Sequence, residues 1–376
     1  MEFTRRRFLR TTALSTAAAP LALVGGIDYC EAAPAQAIDW SMGFPEGAVL
    51  LNRNENPVGP SPRAVAAAQD GIARSFRYAD PARIRTLLSE HHDIDRDWIL
   101  VGSGSGELLS LAPLVFARDG NVVSTVEAYR SLPEYAEKLG SEIKWVNILE
   151  KKGFAYDIDG LLSAVDADTR ILFMVTPNNP TGTVLSFEDM RRLADNLPRH
   201  VLLIVDEAYI HFQEGAPTGL GLLQEGYDNV LVTRTFSKAY ALAGLRCGYG
   251  VGHPDIMSRI SQFGCGPTST NMAGFGAVAV SIGDEDQLRR SRKYIGDTRA
   301  FYEKNFRELG LAYASGPPNF ILVDLGEQAK AVADELRERN IFVRYAGEWA
   351  LPHHIRVSYG MEDENRKFFE VLRSII

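Results

Sequence analysis

VLLIVDEAY, residues 201–209, runs through five apolar side chains into a carboxylate, Asp206, and three positions later into a phenol, Tyr209. An apolar run of that length, rich in β-branched residues, reads as a strand buried on both faces. Similar runs stand on either side: WILVGSG from 98, VVSTVEA from 122, ILFMVTP from 171 and VLVTRTFS from 230. Helix-like segments separate several of them. SFEDMRRLADNL, for example, opens with Ser186 as an N-cap and carries Asp189 three residues on. This alternation predicts an α/β fold, a large domain with a mainly parallel central sheet flanked by helices. Beyond residue 298, RAFYEKNFRELG and EQAKAVADELRERN have helical periodicity, each leading to a short strand candidate, NFILVDL or IFVRY. That change reads as a smaller α+β domain.

In an open parallel sheet, ligands gather at the carboxyl ends of the strands, and here those ends carry chemistry. WILV leads into GSGSGELL, whose glycines bring backbone N–H groups and a helix start within reach of an anion. The spacing is neither a dinucleotide fingerprint nor a nucleophile elbow, so by itself it signals only a tight turn. VVSTVEA leads to Tyr129, ILFMV to the rigid polar turn TPNNPTG around Asn179, and VLVTRTFS to Ser237 and Lys238, with Arg246 eight residues further on. A lysine among alanines and leucines is ordinary packing when it snorkels, and a buried Asp206 needs only some partner. One cofactor uses all of them together. Pyridoxal phosphate has a phosphate for the helix start, Ser237 and Arg246, a ring face for Tyr129, a ring nitrogen for Asp206 and an aldehyde for Lys238.

The order and separation of TPNNPTG, VDEAYIHF and TFSKAYALAGLR resemble the class I/II aminotransferases of fold type I, and the histidinol-phosphate aminotransferases in particular, from LNRNENPVGPSP at 51–62 to HIRVSYG at 354–360. The resemblance implies that Lys238 is the Schiff-base lysine and Asp206 the ring-nitrogen partner. Asn179 and Tyr209 would serve the cofactor's 3-oxygen. Ser105, Gly106, Glu107, Tyr129, Ser237 and Arg246 would complete the cofactor site. Arg356 would bind the substrate α-carboxylate, with Asn179 beside it, and Arg344 would lie near the distal end of the substrate. Its bland alternative is a surface salt bridge. Tyr78, in RYADPARIRTLL, resembles the tyrosine that reaches the neighbouring subunit's cofactor phosphate, which implies a homodimer. The corresponding layout is a segment 38–75 joining the small domain, a cofactor-binding domain 76–265 and a small domain 266–376. The expected reaction moves an amino group between an amino acid and a 2-oxo acid. Racemisation, decarboxylation, elimination and oxidation remain open on the same scaffold, and a non-catalytic binding protein is a remoter alternative.

Two departures bear on the substrate. Where relatives often read Gly-Asn-Gly-Ser-Asp-Glu, this chain has Gly102-Ser103-Gly104-Ser105-Gly106-Glu107, and Leu132 stands where a tyrosine is common in histidinol-phosphate enzymes. Both point away from histidinol phosphate.

The first 37 residues belong to another category. TRRRFLR at 4–10 resembles the twin-arginine export signal, followed by a mildly apolar segment and two small-x-small sites, Ala33-Pro34-Ala35 and Ala35-Gln36-Ala37. The expectation is a periplasmic or exported protein, with a cytoplasmic one as the alternative. Export would leave Cys247 and Cys265, enough for one bridge, with two buried free thiols as the preferred reading. A formal net charge of -8 offers no basic field for nucleic acid, and no apolar run approaches the ~20 residues of a membrane helix. The pair His353-His354 lacks further ligands at metal-binding spacing and reads as exposed polar packing.

Overall fold

The computed structural model describes residues 43–264 and 270–376. The export segment 1–37, Cys265 and the boundary drawn at 265/266 lie outside them. β1 (Val49–Leu50) is followed by β2 (Ile99–Gly102), β3 (Asn121–Thr125), β4 (Glu142–Val146), β5 (Thr169–Val175), β6 (Leu202–Asp206), β7 (Val230–Thr235) and β8 (Gly248–Gly252). β2 to β8 form one seven-stranded sheet in the order β2-β8-β7-β6-β5-β3-β4. Four neighbouring pairs are parallel, and β8 runs antiparallel to both β2 and β7.

The mainly parallel sheet is therefore as the apolar runs predict. β6 is buried at every position, which is why its sequence shows no alternation. β4 and β8 escaped the reading for opposite reasons. EIKWV is an edge strand with little burial, its Trp145 40% exposed. GYGVG has too few side chains to register as a strand, yet its glycines decide how it packs. A Cβ on Gly248 would fall 2.2 Å from the Ser105 amide nitrogen, and one on Gly250 would fall 2.4 Å from a Leu108 methyl. The missing side chains seat the helix Ser105–Phe116 directly on the sheet.

A second sheet uses β9 (Tyr313–Ser315), β10 (Phe320–Asp324), β12 (Arg344–Tyr345) and β13 (His354–Ser358), antiparallel in the order β12-β13-β10-β9. β11 (Ile341–Phe342) pairs instead with β1, in parallel. RAFYEKNFRELG lies in the helix Glu285–Glu308, and the later periodic segment forms Ala329–Glu338. Ser186 caps Phe187–Asn196 as expected, its hydroxyl accepting from the Asp189 N–H at 3.0 Å. His354 corrects the reading of the histidine pair: it is buried in β13, edge-on to Phe154 at 5.8 Å.

Candidate active site

Register fixes the floor of the site. Asp206 ends β6 and stands opposite Val175 of β5 and Thr233 of β7. Thr233 Oγ1 donates to Asp206 Oδ1 at 2.8 Å. The carboxyl is 2% exposed, and burial pushes its pKa up to about 7 despite that bond. Such a group is poised to gain either a proton or a cationic N–H partner. Tyr209 follows on the loop after β6, packed edge-on to Phe320 at 5.3 Å, and its hydroxyl accepts from Asn54 Nδ2 at 2.9 Å. Burial raises its phenol above the ordinary value.

Beside the floor is a corner built for an anion. The helix Ser105–Phe116 begins at Gly104, which has a φ of 80° and supplies no capping side chain. Ser105 and Gly106, at that helix start, line a cavity of about 370 Å³ together with Ser237 and Arg246. Arg246 Nη1 donates to Ala243 O at 3.0 Å and lies 3.4 Å from Ser237 Oγ. A Cβ on Gly104 would meet Arg246 Nη2 at 2.5 Å, so only glycine lets the guanidinium come this close to the helix start. An uncapped helix N-terminus, a hydroxyl and a guanidinium form a donor set for a phosphate. A Cβ on Gly106 would meet nothing within 4 Å, so its missing side chain leaves open space.

Glu107 turns towards the backbone of its own turn. Its Oε2 accepts from the Ser103 N–H at 2.6 Å, and the residue is not among those lining this cavity.

Lys238 closes the cavity from the β7 side. Its Nζ donates to the carbonyls of Arg53 and Asn54, at 3.1 Å each, and lies 5.6 Å from the centre of the Tyr209 ring. Burial, then the charges of Arg356 and Arg246, lower its pKa to about 8, against the pull of Glu55 and Asp206. A fraction of the amine is thus neutral near neutrality.

The opposite wall comes from the second sheet and the N-terminal loop. Arg356 of β13 is 4% exposed. It donates from Nη1 to Asn179 Oδ1 at 2.6 Å and from Nη2 to Asn52 O at 2.5 Å. Trp349 and Phe320 flank it, their ring centres 5.1 and 5.6 Å from its guanidinium carbon. Burial lowers its pKa to about 10, and its Nε is buried without a partner, as is Asn52 Oδ1. Because Asn179 Oδ1 accepts from Arg356, the donor end of that amide is what remains for a cofactor oxygen. Arg344 is paired with Arg356 in register. It lines the cavity, and it makes a bidentate ion pair with Glu348.

Tyr129 also lines the cavity and is 38% exposed. Tyr78 is 86% exposed, and Leu132 is fully buried. Sequence reasoning missed Asn52, Asn54 and Trp349 as site residues. Asn54 holds a φ of 54°, a conformation asparagine tolerates, so a signal lay in the Asn-Arg-Asn-Glu-Asn run of LNRNENP. The signal for Trp349 is its place between Arg344 and Arg356.

The residues present fit pyridoxal phosphate: an anion corner, a buried acid, two hydroxyl or amide donors and a depressed amine share one cavity. Fold and site together define a pyridoxal-phosphate enzyme of fold type I. The chain belongs to the aminotransferases of class I and II, whose family pattern matches residues 46–372, and it is a pyridoxal-phosphate-dependent transaminase. A protein of Pseudomonas fluorescens named histidinol-phosphate aminotransferase 2 is 36% identical over 340 residues, covering 88% of this chain and 90% of its own. The histidinol-phosphate aminotransferase of Symbiobacterium thermophilum is 35% identical over 354 residues, 93% of this chain and 96% of its own. Among solved structures, histidinol-phosphate aminotransferase from Sinorhizobium meliloti in complex with pyridoxal-5'-phosphate matches with a TM-score of 0.81 at 26% identity. That match covers 88% of this chain and 92% of the other.

Proposed function

We propose that this transaminase takes an α-amino acid as donor, holds its α-carboxylate on Arg356, and passes the amino group to a 2-oxo acid in a ping-pong cycle. The bound cofactor supplies an aldehyde that takes up the amino group and a cationic ring that accepts electron density from the substrate α-carbon. Asp206, buried with Thr233, provides the negative charge that keeps a ring nitrogen protonated. Tyr209 and the Asn179 amide donate to the 3-oxygen, while the helix start, Ser237 and Arg246 hold the phosphate. Lys238 would anchor the cofactor through its amine, and that amine, when free, would take the α-proton and return one. The observation that carries the donor class is the buried Arg356 guanidinium, with an unpaired Nε, in one cavity with Lys238.

Arg344 gives the distal end of the substrate a guanidinium that can stack on an aromatic ring, or pair with an anion that competes with Glu348 for it. A panel of amino donors tests both assignments. Arg356→Ala is expected to lower kcat/KM for every α-amino acid by about 10- to 100-fold, the worth of a buried charged hydrogen bond. Arg344→Ala is expected to act selectively on acidic, phosphorylated and aromatic donors. Uniform loss in both variants would defeat the division of labour. The names of the curated relatives favour a second reading, a phosphorylated amine of the histidinol phosphate type. In that case the panel finds its largest kcat/KM with that amine.

Two further parts of the reading stand on sequence. The active assembly is a homodimer in which Tyr78 reaches the partner's cofactor phosphate, a role that suits its exposed position. Sedimentation of the wild type tests the dimer, and a weaker cofactor affinity in Tyr78→Phe tests the contact. TRRRFLR exports the chain already folded, and replacing Arg5 and Arg6 by lysine should hold it uncleaved in the cytoplasm. A chain that starts at Met1 in cells with a working twin-arginine pathway would refute export.

A further inference from the structure

Glu348 stands at the distal end of the substrate wall without lining the cavity. The short 3-10 turn Ala346–Trp349 carries it back over Arg344, four residues earlier. There Arg344 Nε donates to Glu348 Oε1 and Nη2 to Oε2, both at 2.6 Å, the fork geometry in which a guanidinium grips a carboxylate. This is one of the two edges on which a guanidinium can take a carboxylate, and the pair neutralises the charge that a second carboxylate would seek. The next residue, Trp349, does line the cavity, and its ring lies within 5.9 Å of the Arg344 guanidinium carbon and 5.1 Å of that of Arg356. Both partners of the ion pair keep solvent contact, with side chains 49% and 39% exposed.

The two arginines of this wall are thus unequal. Arg356 is buried, gives its donors to an amide and a carbonyl, and keeps one N–H unpaired. It has no carboxylate partner among the described residues, so its charge stays available to a ligand. Arg344 already has an internal carboxylate on its two best donors. Glu134, on the helix Ser131–Lys138, adds a second negative charge near enough to act on Arg344.

We propose that Glu348 is a specificity-determining residue of this transaminase, acting through Arg344. It occupies one guanidinium edge and cancels its charge, so the distal end of the site disfavours a second carboxylate and leaves the Trp349 and Arg344 surface to an aromatic or uncharged side chain. This inference rests on the assignment of Arg344 to the distal substrate end. A donor with a distal carboxylate has to displace Glu348 or lie beside it. An aromatic donor does neither.

The test uses the cofactor-loaded enzyme and two unreactive probes, a dicarboxylic acid and an aromatic monocarboxylic acid, each titrated by the change it causes in the cofactor absorbance band. The quantity of interest is the ratio of their Kd values. Removing one negative charge from a half-exposed ion pair at contact distance is expected to shift that ratio about five- to tenfold toward the dicarboxylate in Glu348→Gln, and more weakly in Glu134→Gln. Glu348→Asp, which keeps the charge, should restore the wild-type preference. Steady-state kinetics should place the same change in KM for acidic donors and leave little of it in kcat. If the ratio stays within twofold in Glu348→Gln, or moves toward the aromatic probe because Glu348 only holds Arg344 in position, the proposal is overturned. Arg344→Ala separates the layers. If it leaves dicarboxylate binding unchanged, the distal assignment itself fails, whereas a change there with none in Glu348→Gln defeats the role of Glu348 alone.

Discussion

The floor of the active site and its substrate wall are built on different principles. Asp206, Thr233 and Ser237 come from adjacent strands of one sheet or the turns that end them, so strand register sets their spacing. Their partners are internal and buried, as in the Thr233–Asp206 bond. The wall gathers Asn52, Asn54, Asn179, Arg344, Trp349 and Arg356 from a loop, two turns and two strands of another sheet, and its outermost pair is half-exposed. A register-locked floor keeps the chemistry constant. A composite wall with an exposed ion pair can change what it selects at small cost to the fold.

The sharpest way to break that contrast is at the floor. Lys238→Ala should abolish turnover, by more than about 1,000-fold, because one side chain both anchors the cofactor and moves the proton. Cofactor should still bind through the phosphate corner, without the absorbance band of the attached form. Transaminase activity surviving in the variant would remove Lys238 from its role.

Asp206→Asn comes next, with activity expected to fall about 100-fold, since a neutral amide cannot balance a ring cation. It also makes a stability prediction with a definite sign. The folded pKa is raised to about 7 from 3.8, so the unfolded chain deprotonates first and the cofactor-free protein loses stability as pH rises between those values. The variant should therefore melt higher than wild type at pH 8 and lose that advantage near pH 4, as read by thermal unfolding of the cofactor-free proteins. A variant less stable at pH 8 would show that Asp206 has a cationic partner within the chain.

Gly248→Ala tests the seat of the anion corner. A Cβ there lies 2.2 Å from the Ser105 nitrogen, so the helix start must shift. The cofactor Kd should rise about tenfold, the worth of one charge-assisted hydrogen bond, while donor preference stays as in wild type. A change in preference without loss of cofactor would mean that floor and wall are mechanically one. An effect of similar size is expected from pH. With the Lys238 pKa at about 8, the rate at which added cofactor attaches to the cofactor-free protein should rise about tenfold from pH 7 to 9 and then level off. A rise continuing towards pH 10.5 would show an ordinary lysine.

The same contrast explains what was legible beforehand. The floor could be read because strand ends are visible as apolar runs that give way to polar residues: Asp206 stands at such a stop, and Ser237 follows one within a few positions. Sequence places Glu107 in the first helical turn but cannot show that its carboxylate accepts from the Ser103 N–H. The wall was legible only through family resemblance, since Asn54 meets Tyr209 across 155 positions and no local pattern encodes that meeting. Trp349 sits in a short turn between strands, where an aromatic residue looks like packing.

The carbonyls of Arg53 and Asn54 hold the resting Lys238 amine. When that nitrogen becomes bonded to the cofactor it can no longer donate to both, so loading the enzyme withdraws a clasp from the N-terminal loop. The loop has further ties to Tyr209, Ser358, Asn319 and Arg356, and Asn56 donates to the carbonyls of Lys238 and Ala239 and to Ser291 Oγ. Tyr209 and Arg356 belong to the residues that would touch cofactor and substrate. The loop is in that sense a latch with several catches, of which the lysine amine is the one that cofactor loading would release while the ties through Asn56 and to Asn319 and Ser358 stay.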